Sequence, residues 1–362
     1  MSVEIWPPIA PDQLKVEEDA TQARELTWLL DAIHDILKTL KSSLEETYAL
    51  LAPIDPGATL VVSTPKHETV KGYVTRVGTR LVKGSIALKL RTQPPLALHL
   101  NPDRPIHIPE LATLNTLLTQ SVDILSFVVS ESFARGADHA DPRFVSSQLR
   151  LLAEYLSEAS SLIKGPELPI ADQNTPSSTT SPPLPGSPPD TTWTHSSVPP
   201  SCFSPPLNPA HLSVYLTIQD ASLVLYLRAL EPADAPVNFG TKLALAIGTA
   251  RRLEHDEADR LFGYCPEGAD DPIATEGSVM QNPPNPLQRT RSSGVAGGAR
   301  GGGMGKGRGT ETQVYVREKV RVVSADPSLL SLSSKLGALG HALALARRNL
   351  AVVMGEQDDG GE

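Results

Sequence analysis

Cysteine and aromatic residues are scarce in this chain of 362 residues, and both shortages narrow the structural class of the protein. Only Cys202 and Cys265 are present, which excludes a disulfide framework and predicts a reducing compartment. Phe, Trp and Tyr make up 4 % of the residues, so a hydrophobic core must consist mainly of Leu, Val, Ile and Ala.

Long apolar runs and an excess of basic charge are also missing. No uninterrupted apolar run approaches the roughly 18 residues of a membrane span, and the N-terminus lacks the basic and apolar regions of a signal peptide. The formal net charge of −9 argues against general nucleic-acid binding, which needs a basic surface. We therefore expect a soluble cytoplasmic protein with no nucleic-acid partner and no direct membrane insertion.

The sequence lacks the motifs of enzymes and metal proteins as well. The run 301–306 resembles a phosphate loop, but Arg300 stands where the first glycine belongs and Gly307 where Ser or Thr is required. One acidic cluster consists of His255, Asp256, Glu257 and Asp259. It follows no metal-ligand spacing and favours a solvated loop. We predict no catalytic residue, no cofactor and no metal site. Absence of motifs does not exclude an enzyme, but no feature of the sequence supports one, and we expect a non-enzymatic protein.

What the sequence does contain is rows of leucine at helical spacing. A C-terminal row predicts a helix that begins after the N-cap Asp326, with Pro327 in its first turn, and ends at Gly355. Its seam consists of Leu329, Leu332, Leu336, Leu339, Leu343, Leu350 and Val353. A partner seam near the N-terminus consists of Leu26, Leu30, Ile33, Leu37, Leu40 and Leu44. In both rows the alternating spacing of three and four places one apolar stripe along a helix.

The C-terminal row can pair with a second copy of the chain or with other helices of the same chain. A parallel zipper needs complementary charges beside its seam. The flanking residues here are Ser333, Gly340 and Arg347 on one side and Lys335, Ala342 and Asn349 on the other. Gly337 and Gly340 each cost about 1 kcal/mol in a helix interior, but glycine allows close backbone approach in a bundle. We favour packing within a monomer, and a self-associating coiled-coil adaptor is the alternative.

Two further apolar patterns predict helices within residues 109–164. The first starts after Pro109, and the second opens at the N-cap Asp141 with Pro142 in its first turn. Gly165 suits the end of the second helix.

Between the helices the apolar period changes to two, which is typical of half-buried strands. The apolar stretch 243–247 predicts one of these strands. The last strand should turn one face to the core through Val314, Val316, Val320 and Val322. Its opposite, polar face contains Tyr315, Arg317, Lys319 and Arg321. This polar face and the outward face of the first helix are the surfaces to watch for partners, although a solvated surface is the favoured explanation for any single residue.

The order of these elements predicts an α+β fold. A discontinuous antiparallel helical bundle is expected from three segments, 14–52, 109–164 and 326–355. An attached antiparallel β domain is expected from three others, 58–100, 211–263 and 312–323.

Two segments predict disorder by composition. Residues 165–209 are rich in proline and favour a hydrated linker. Residues 266–310 are first acidic and then rich in glycine and arginine, so they cannot bury enough apolar surface to offset the entropy of ordering. Contact between the Gly/Arg tract and RNA is a less favoured alternative, since the tract has no aromatic residue for base stacking.

Four collinear segments resemble the Rogdi family, also described as leucine-zipper-containing Rogdi or the second subunit of the RAVE complex. The segments are ELTWLLDAIHDILKTLKSSLEE (25–46), VKGYVTRVGTRLVKGSIALKL (70–90), LSVYLTIQDASLVLYLRALEP (212–232) and VREKVRVVSADPSLLSLSSKLGAL (316–339). The resemblance rests on their apolar pattern and on short identities such as Trp28-Leu29-Leu30. The long Pro- and Gly-rich insertions resemble those of fungal members.

The resemblance implies assembly rather than catalysis. Fungal members are subunits of RAVE, which promotes reassembly of the peripheral sector of the vacuolar proton-ATPase (V-ATPase) onto its membrane sector. The implied partners are the large β-propeller (rabconnectin-like) RAVE subunit, a Skp-type adaptor and V-ATPase peripheral-sector subunits. The implied location is the cytoplasm, with peripheral recruitment to vacuolar or endosomal membranes. The implied fold is a helical bundle with a β domain, and the family has no catalytic residues to carry over.

Overall fold

Four long helices and two antiparallel sheets make up the part of the chain that the computed structural model describes. This part comprises residues 10–52, 55–65, 68–133, 140–166, 190–234, 255–258, 260–265 and 311–355. The long helices are α1 (Pro11–Leu51), α2 (Pro109–Phe127), α3 (Pro142–Lys164) and α5 (Pro327–Met354), and a short helix α4 (Trp193–Ser196) precedes α5. The prediction of an α+β fold is confirmed.

The ends of the long helices follow the local sequence signals. Each of the four has a proline in its first turn, where the missing N–H group has no helical partner and the fixed φ angle suits the helix. The carboxylate of Asp141 accepts a backbone hydrogen bond from the first turn of α3, and Asp326 caps α5 in the same way. Gly355 ends α5 with a φ of 68°, in the left-handed region that glycine tolerates.

The long helices form a four-membered ring. The pairs in contact are α1–α5, α5–α3, α3–α2 and α2–α1. α1 and α5 run antiparallel, since the side chain of Gln22 donates to the Val353 carbonyl at 3.0 Å and Lys335 Nζ lies 2.8 Å from Glu46 Oε2. Buried residues of the bundle and of both sheets belong to one continuous hydrophobic core. The helices and sheets therefore stabilise one another by burying shared apolar surface.

The strands form two separate sheets. The first contains β1 (Ala58–Ser63), β2 (Val70–Val77), β3 (Arg80–Leu88), β4 (Leu96–Leu100), β5 (Ile106–His107) and β6 (Phe203–Ser204). The second contains β7 (Leu212–Gln219), β8 (Ser222–Pro232), β9 (Leu261–Tyr264) and β10 (Thr312–Ala325). The first sheet has the order β1-β2-β3-β4-β6 with β5 on β3, and the second has the order β7-β8-β10-β9. The strand expected over 243–247 lies outside the described residues.

A β-bulge overturns the predicted faces of β10. The register against β8 shifts between Val316 and Glu318, so Arg317 is an extra residue in the strand. An extra residue reverses the alternation of faces beyond it. Val316 accordingly packs in a small second cluster, whereas Val322 packs in the main core. The prediction of one shared apolar face was wrong for the set Val314, Val316, Val320 and Val322.

The second half of the predicted linker, residues 190–209, is folded. Trp193 in α4 is fully buried against two aromatic rings of β9, and β6 pairs with β4. The prediction of disorder over 165–209 was therefore wrong for this half. The average composition of the segment did not reveal that some of its apolar side chains are buried. These are Trp193, Val198, Phe203 and Leu207. Residues 167–189 and 266–310 lie outside the described part of the chain.

Two polar contacts position β10 against the first sheet. The hydroxyl of Ser324 donates to the Val61 carbonyl at 2.8 Å, which satisfies an acceptor on the edge strand β1. At the bulge, the buried carboxylate of Glu318 accepts backbone hydrogen bonds from Arg91 and Thr92 at 2.8 and 3.2 Å. The bulge thus aims a carboxylate at the segment between β3 and β4.

Candidate interaction surface

Both leucine rows lie in the core. In α5 the buried members are Leu329, Leu332, Leu336, Leu339, Leu343 and Leu350, and in α1 they are Leu30, Ile33, Leu37, Leu40 and Leu44. The end members Leu26 and Val353 are half-buried and pack against the same core. About one helical turn after Leu44 the buried stripe of α1 continues through Thr47, whose hydroxyl donates to the Ser43 carbonyl at 2.7 Å. The chain therefore covers its own seams, and a zipper with a partner would require the bundle to open.

The two glycines of α5 do not contribute to that packing. We expected Gly337 and Gly340 to permit close approach of helices, but a Cβ placed on either one meets no atom within 4 Å. The expectation was wrong because both positions face open space rather than a neighbouring helix.

The charged side of β10 is largely engaged within the chain. Arg317 pairs with Glu231, and Arg321 donates to Gln219 at 3.1 Å. Lys319 is 16 % exposed and pairs with both Asp256 and Glu257. Burial lowers the pKa of the Lys319 ammonium, but these two carboxylates outweigh burial and raise the pKa above its ordinary value. The explanation by a solvated surface, which the sequence favoured, does not hold for Lys319. Its ammonium belongs to a network of ion pairs within the chain.

At the centre of that network is a buried bidentate ion pair. Arg228 of β8 donates to both carboxylate oxygens of Glu257 at 2.7 and 2.8 Å, and both side chains are almost completely buried. The guanidinium lies 4.6 Å from the ring centre of Trp193 and 5.3 Å from that of Tyr226. This stacking offsets part of the desolvation of the charge. The pair fastens residues 255–258 and α4 to the second sheet.

The predicted solvated acidic loop is thus wrong for Glu257. Its partner Arg228 lies on a distant strand, which a local reading of charge could not reveal. Within the described ranges, no group of three or more His, Cys, Asp or Glu side chains is arranged to hold a metal ion. The Gly-rich run 301–306 lies outside those ranges, and so does Asp259.

The outward sides of α1 and α5 carry three of the most exposed large apolar side chains among the described residues. Trp28 is 72 % exposed, Leu345 is 55 % exposed and Val352 is 71 % exposed. Sequence reasoning named the outward face of the first helix, where Trp28 lies, as a surface for partners, but it followed the buried rows and assigned none of these three residues to a surface. The available signal was their position off the seam of an amphipathic helix, where charged residues are usual.

Comparison of the sequence with known protein families shows which family this chain belongs to. The chain matches the family described as Rogdi leucine zipper containing protein over residues 25–351. It belongs to the Rogdi leucine-zipper family. No curated protein matches the chain at a significant level. The Rogdi match begins in α1 close to Leu26, the first member of the seam, and the part of α1 before it, residues 11–24, is exposed. In this Rogdi chain the leucine rows of α1 and α5 pack in the core of their own bundle.

Two helical stretches of this Rogdi chain are long and apolar enough to cross a membrane, judged by length and composition alone. They are Pro109–Ser132 and Pro327–Met354, and a third of the tested window is buried in each. The buried residues include the leucines that form the bundle core. Core packing explains the apolar character of both stretches, since a core helix of a bundle meets the same criterion.

Proposed function

We propose that this Rogdi-family protein is a non-enzymatic assembly subunit of a RAVE-type complex that regulates the V-ATPase. The observation that carries the proposal is the family match over residues 25–351. The fold is consistent with a scaffold, because its helices and sheets share one core and its charged clusters are used in internal ion pairs.

The proposed partners are a large β-propeller (rabconnectin-like) subunit, a Skp-type adaptor and peripheral-sector subunits of the V-ATPase. The proposed location is the cytoplasm, with recruitment to vacuolar or endosomal membranes through these partners. Trp28, Leu345 and Val352 give the protein exposed apolar surface, and large exposed apolar side chains favour protein–protein contact.

Affinity purification of the full chain from its own cells, followed by mass spectrometry, tests the proposal. We expect the propeller subunit and at least one V-ATPase subunit to be recovered in near-stoichiometric amounts. A Leu343→Asp variant, which we expect to be unfolded, controls for adhesion to exposed apolar surface. Recovery of neither partner class in the wild-type sample overturns the proposal.

Vacuolar acidification gives a second, independent readout. Cells that lack the protein should show poorly acidified vacuoles and should grow badly at elevated external pH. A pH-sensitive vacuolar dye measures the effect, and re-expression of the full chain should reverse it. Normal acidification in the deletion strain at elevated pH contradicts the proposed function.

A further inference from the structure

The outward side of the first sheet is basic, although the protein as a whole is acidic. Five exposed cations lie on β2, on β3 or directly after β3, and we call them the basic strip: Lys71, Arg80, Lys83, Lys89 and Arg91. Strands β1 to β5 contain no acidic residue. The whole chain has 41 acidic residues against 32 lysines and arginines, so this surface departs from the charge of the rest of the molecule.

The pairing of the strands places three lysines of the strip on one face. A row of directly opposite residues crosses β1, β2, β3 and β4 and consists of Val61, Tyr73, Ser85 and His99. The core-facing neighbours along each strand are buried, so this row faces outward. Lys71 lies two residues from Tyr73, and Lys83 and Lys89 lie two and four residues from Ser85. Because alternate residues of a strand share a face, these lysines face outward as well.

The strip continues to both ends of β3. The N–H group of Lys89 donates to the Thr69 carbonyl at 2.8 Å, which extends the pairing of β3 with β2 by one residue. Arg80, Lys89 and Arg91 are exposed, and they adjoin leucines that are buried, namely Leu81, Leu88 and Leu90. This alternation directs the three cations away from the core.

The cations of the strip have no counter-ions of their own. None of the five forms an ion pair with a residue that the structure describes. Arg76 of β2 gives the contrast, because its side chain is buried and pairs with Asp326 at 2.6 Å. The sheet thus neutralises its buried cation and leaves its outward cations available to a ligand.

Acidic residues near the strip lie at the ends of the strands. Exposed carboxylates occur in the segments before and between strands, at Asp55, Glu68 and Asp103. Glu318 of β10 approaches Arg91, but its carboxylate is buried and accepts hydrogen bonds from the backbone of Arg91 and from Thr92. Within the described part of the chain, the middle of the strip therefore has no carboxylate beside it.

Apolar surface adjoins the lysines. Tyr73 is 49 % exposed, and its cross-strand neighbour Val61 is 66 % exposed. Between Lys83 and Lys89 the face is about 20 Å long, at about 3.3 Å per residue. It fits an extended segment of about seven residues that carries several carboxylates and at least one apolar side chain.

The distribution of charge favours a short protein segment over a larger polyanion. A nucleic acid or an anionic membrane extends past the strip and would bring its phosphates against the acidic residues at the strand ends. The formal net charge of −9 also weakens the long-range attraction of either polyanion. An acidic protein segment can lie between the strand ends, where it meets the lysines without an opposing carboxylate.

We propose that the basic strip binds an acidic segment of a partner protein. The carboxylates of that segment pair with Lys71, Lys83 and Lys89, and an apolar side chain packs on Tyr73 beside Val61. Complementary charge of this kind sets the position of the segment and speeds its association. The inference does not depend on membership of a RAVE-type complex.

Photo-crosslinking in cells identifies the occupant. A photoreactive phenylalanine analogue replaces Tyr73 in the full chain, and the crosslinked peptide is identified by mass spectrometry. The matched control carries the same analogue in place of Leu345, an exposed residue of α5. We expect only position 73 to yield one dominant peptide from another protein. That peptide should contain at least about three Asp or Glu residues within about seven residues.

A triple charge reversal tests the lysines. Lys71→Glu, Lys83→Glu and Lys89→Glu together should lower the crosslink yield at least about tenfold, because the carboxylates of the segment then meet like charges. The matched control reverses three exposed cations of the helices and has the same net charge, through Lys15→Glu, Arg143→Glu and Arg348→Glu. We expect the control to keep the wild-type yield. Circular dichroism compares the folding of both variants with the wild type.

Binding to the purified wild-type chain does not rely on the folding of a variant. The recovered peptide, made synthetically, should bind with an affinity that falls as the salt concentration rises. The same peptide with Asn and Gln in place of Asp and Glu should bind at least about tenfold more weakly. Phosphatidylserine vesicles and a single-stranded RNA serve as the competing polyanions, and we expect neither to bind.

Several results overturn the proposal. They are a crosslink to lipid, to RNA or to a second copy of this chain, a peptide without the acidic cluster, an undiminished yield in a folded triple variant, peptide binding that does not depend on salt, or no crosslink. Vesicles or RNA that bind the wild-type chain but not the triple variant would assign the strip to that polyanion instead. The partner need not belong to the V-ATPase system, so this proposal and the proposed function can fail separately.

Discussion

Arg76 of β2 and Asp326 at the start of α5 form a buried ion pair that joins the first sheet to the last helix. Arg76 Nε lies 2.6 Å from Asp326 Oδ2, and the side chains are 3 % and 0 % exposed. The other carboxylate oxygen caps α5, and a second nitrogen of Arg76 donates to the Gly78 carbonyl at 2.6 Å. One carboxylate thus serves both as a helix cap and as the counter-ion of a buried guanidinium.

Asp326→Asn separates these two roles. Asparagine caps a helix about as well as aspartate, so the variant loses mainly the charge that neutralises Arg76. We expect a loss of about 3–5 kcal/mol in the free energy of unfolding, because an uncompensated charge remains buried. Urea denaturation of the purified chain measures the change.

Asp141→Asn at the start of α3 is the matched control. Asp141 is an exposed cap with no ion-pair partner among the described residues. We expect its stability to change by less than about 0.5 kcal/mol. Similar losses in both variants would show that the ion pair contributes little.

The bidentate pair of Arg228 and Glu257 should be equally sensitive. Glu257→Gln leaves the guanidinium buried without its counter-ion, and we expect about 3–5 kcal/mol of destabilisation with faster amide exchange in residues 255–258 and in α4. Glu231→Gln removes a partner from the exposed pair with Arg317 and should cost about 0–1 kcal/mol. Urea denaturation and hydrogen exchange compare the two variants, and unchanged exchange in residues 255–258 and in α4 after Glu257→Gln would refute the fastening role.

Stability should fall between pH 7 and pH 5, partly through His255. Burial lowers the pKa of this imidazole below its ordinary value of 6.5, and the carboxylates of Glu257 and Asp256 only partly oppose burial. The unfolded chain therefore binds the proton at a higher pH than the folded chain, and acidification favours unfolding. His34 has a pKa lowered in the same direction, mainly by burial, and adds to the slope.

His255→Asn should flatten the decline measured by urea denaturation at several pH values. Burial alone would raise the pKa of Asp256, but the Lys319 ammonium lowers it overall, so the stability linked to Asp256 is lost only below about pH 4. Between pH 7 and pH 5 the change in the free energy of unfolding therefore reports on the histidines and not on Asp256. The exposed His341→Asn is the control, and an unchanged slope in His255→Asn contradicts the assignment.

Local chemistry explains which elements could be predicted from the sequence. Helix boundaries at Asp141, Asp326 and Gly355 depend on caps that lie within a few residues of the positions they satisfy. Apolar periodicity likewise identified the seams, because the period of a helix does not depend on what covers its face.

The remaining features depend on distant partners. The bulge at Arg317 brings Glu318 to backbone donors more than two hundred residues away, and Glu257 is buried by an arginine on another strand. Composition over 165–209 could not reveal that Trp193 finds aromatic neighbours in β9. Such pairings are decided by tertiary structure, which no local pattern encodes.

Two leucines of α5, two residues apart, differ sharply in burial and should differ as sharply in their contribution to stability. Leu343 is fully buried and Leu345 is 55 % exposed. Leu343→Asp should unfold the protein, because it buries an unpaired charge. Leu345→Asp should change the free energy of unfolding by less than about 0.5 kcal/mol. Circular dichroism and light scattering measure folding and mass.

A folded Leu343→Asp variant with reduced mass would instead support the self-associating coiled coil. A wild-type chain that is monomeric, together with an unfolded Leu343→Asp variant, would exclude that alternative. Loss of folding in Leu345→Asp would contradict the exposed position of Leu345.

The insertion 266–310 should be removable without loss of the fold. It connects β9 to β10, which pair directly with Tyr264 opposite Thr312, so its two ends leave and re-enter the structure side by side. Replacing it with a short Asn-Gly turn shortens the loop that must close, and we expect the free energy of unfolding to be unchanged or raised by about 1–2 kcal/mol. Urea denaturation measures this effect, and a large loss of stability would show that the insertion packs on the fold.

RNA crosslinking of the same variant, compared with the full chain, tests the Gly/Arg tract, and equal crosslinking would exclude it as an RNA contact.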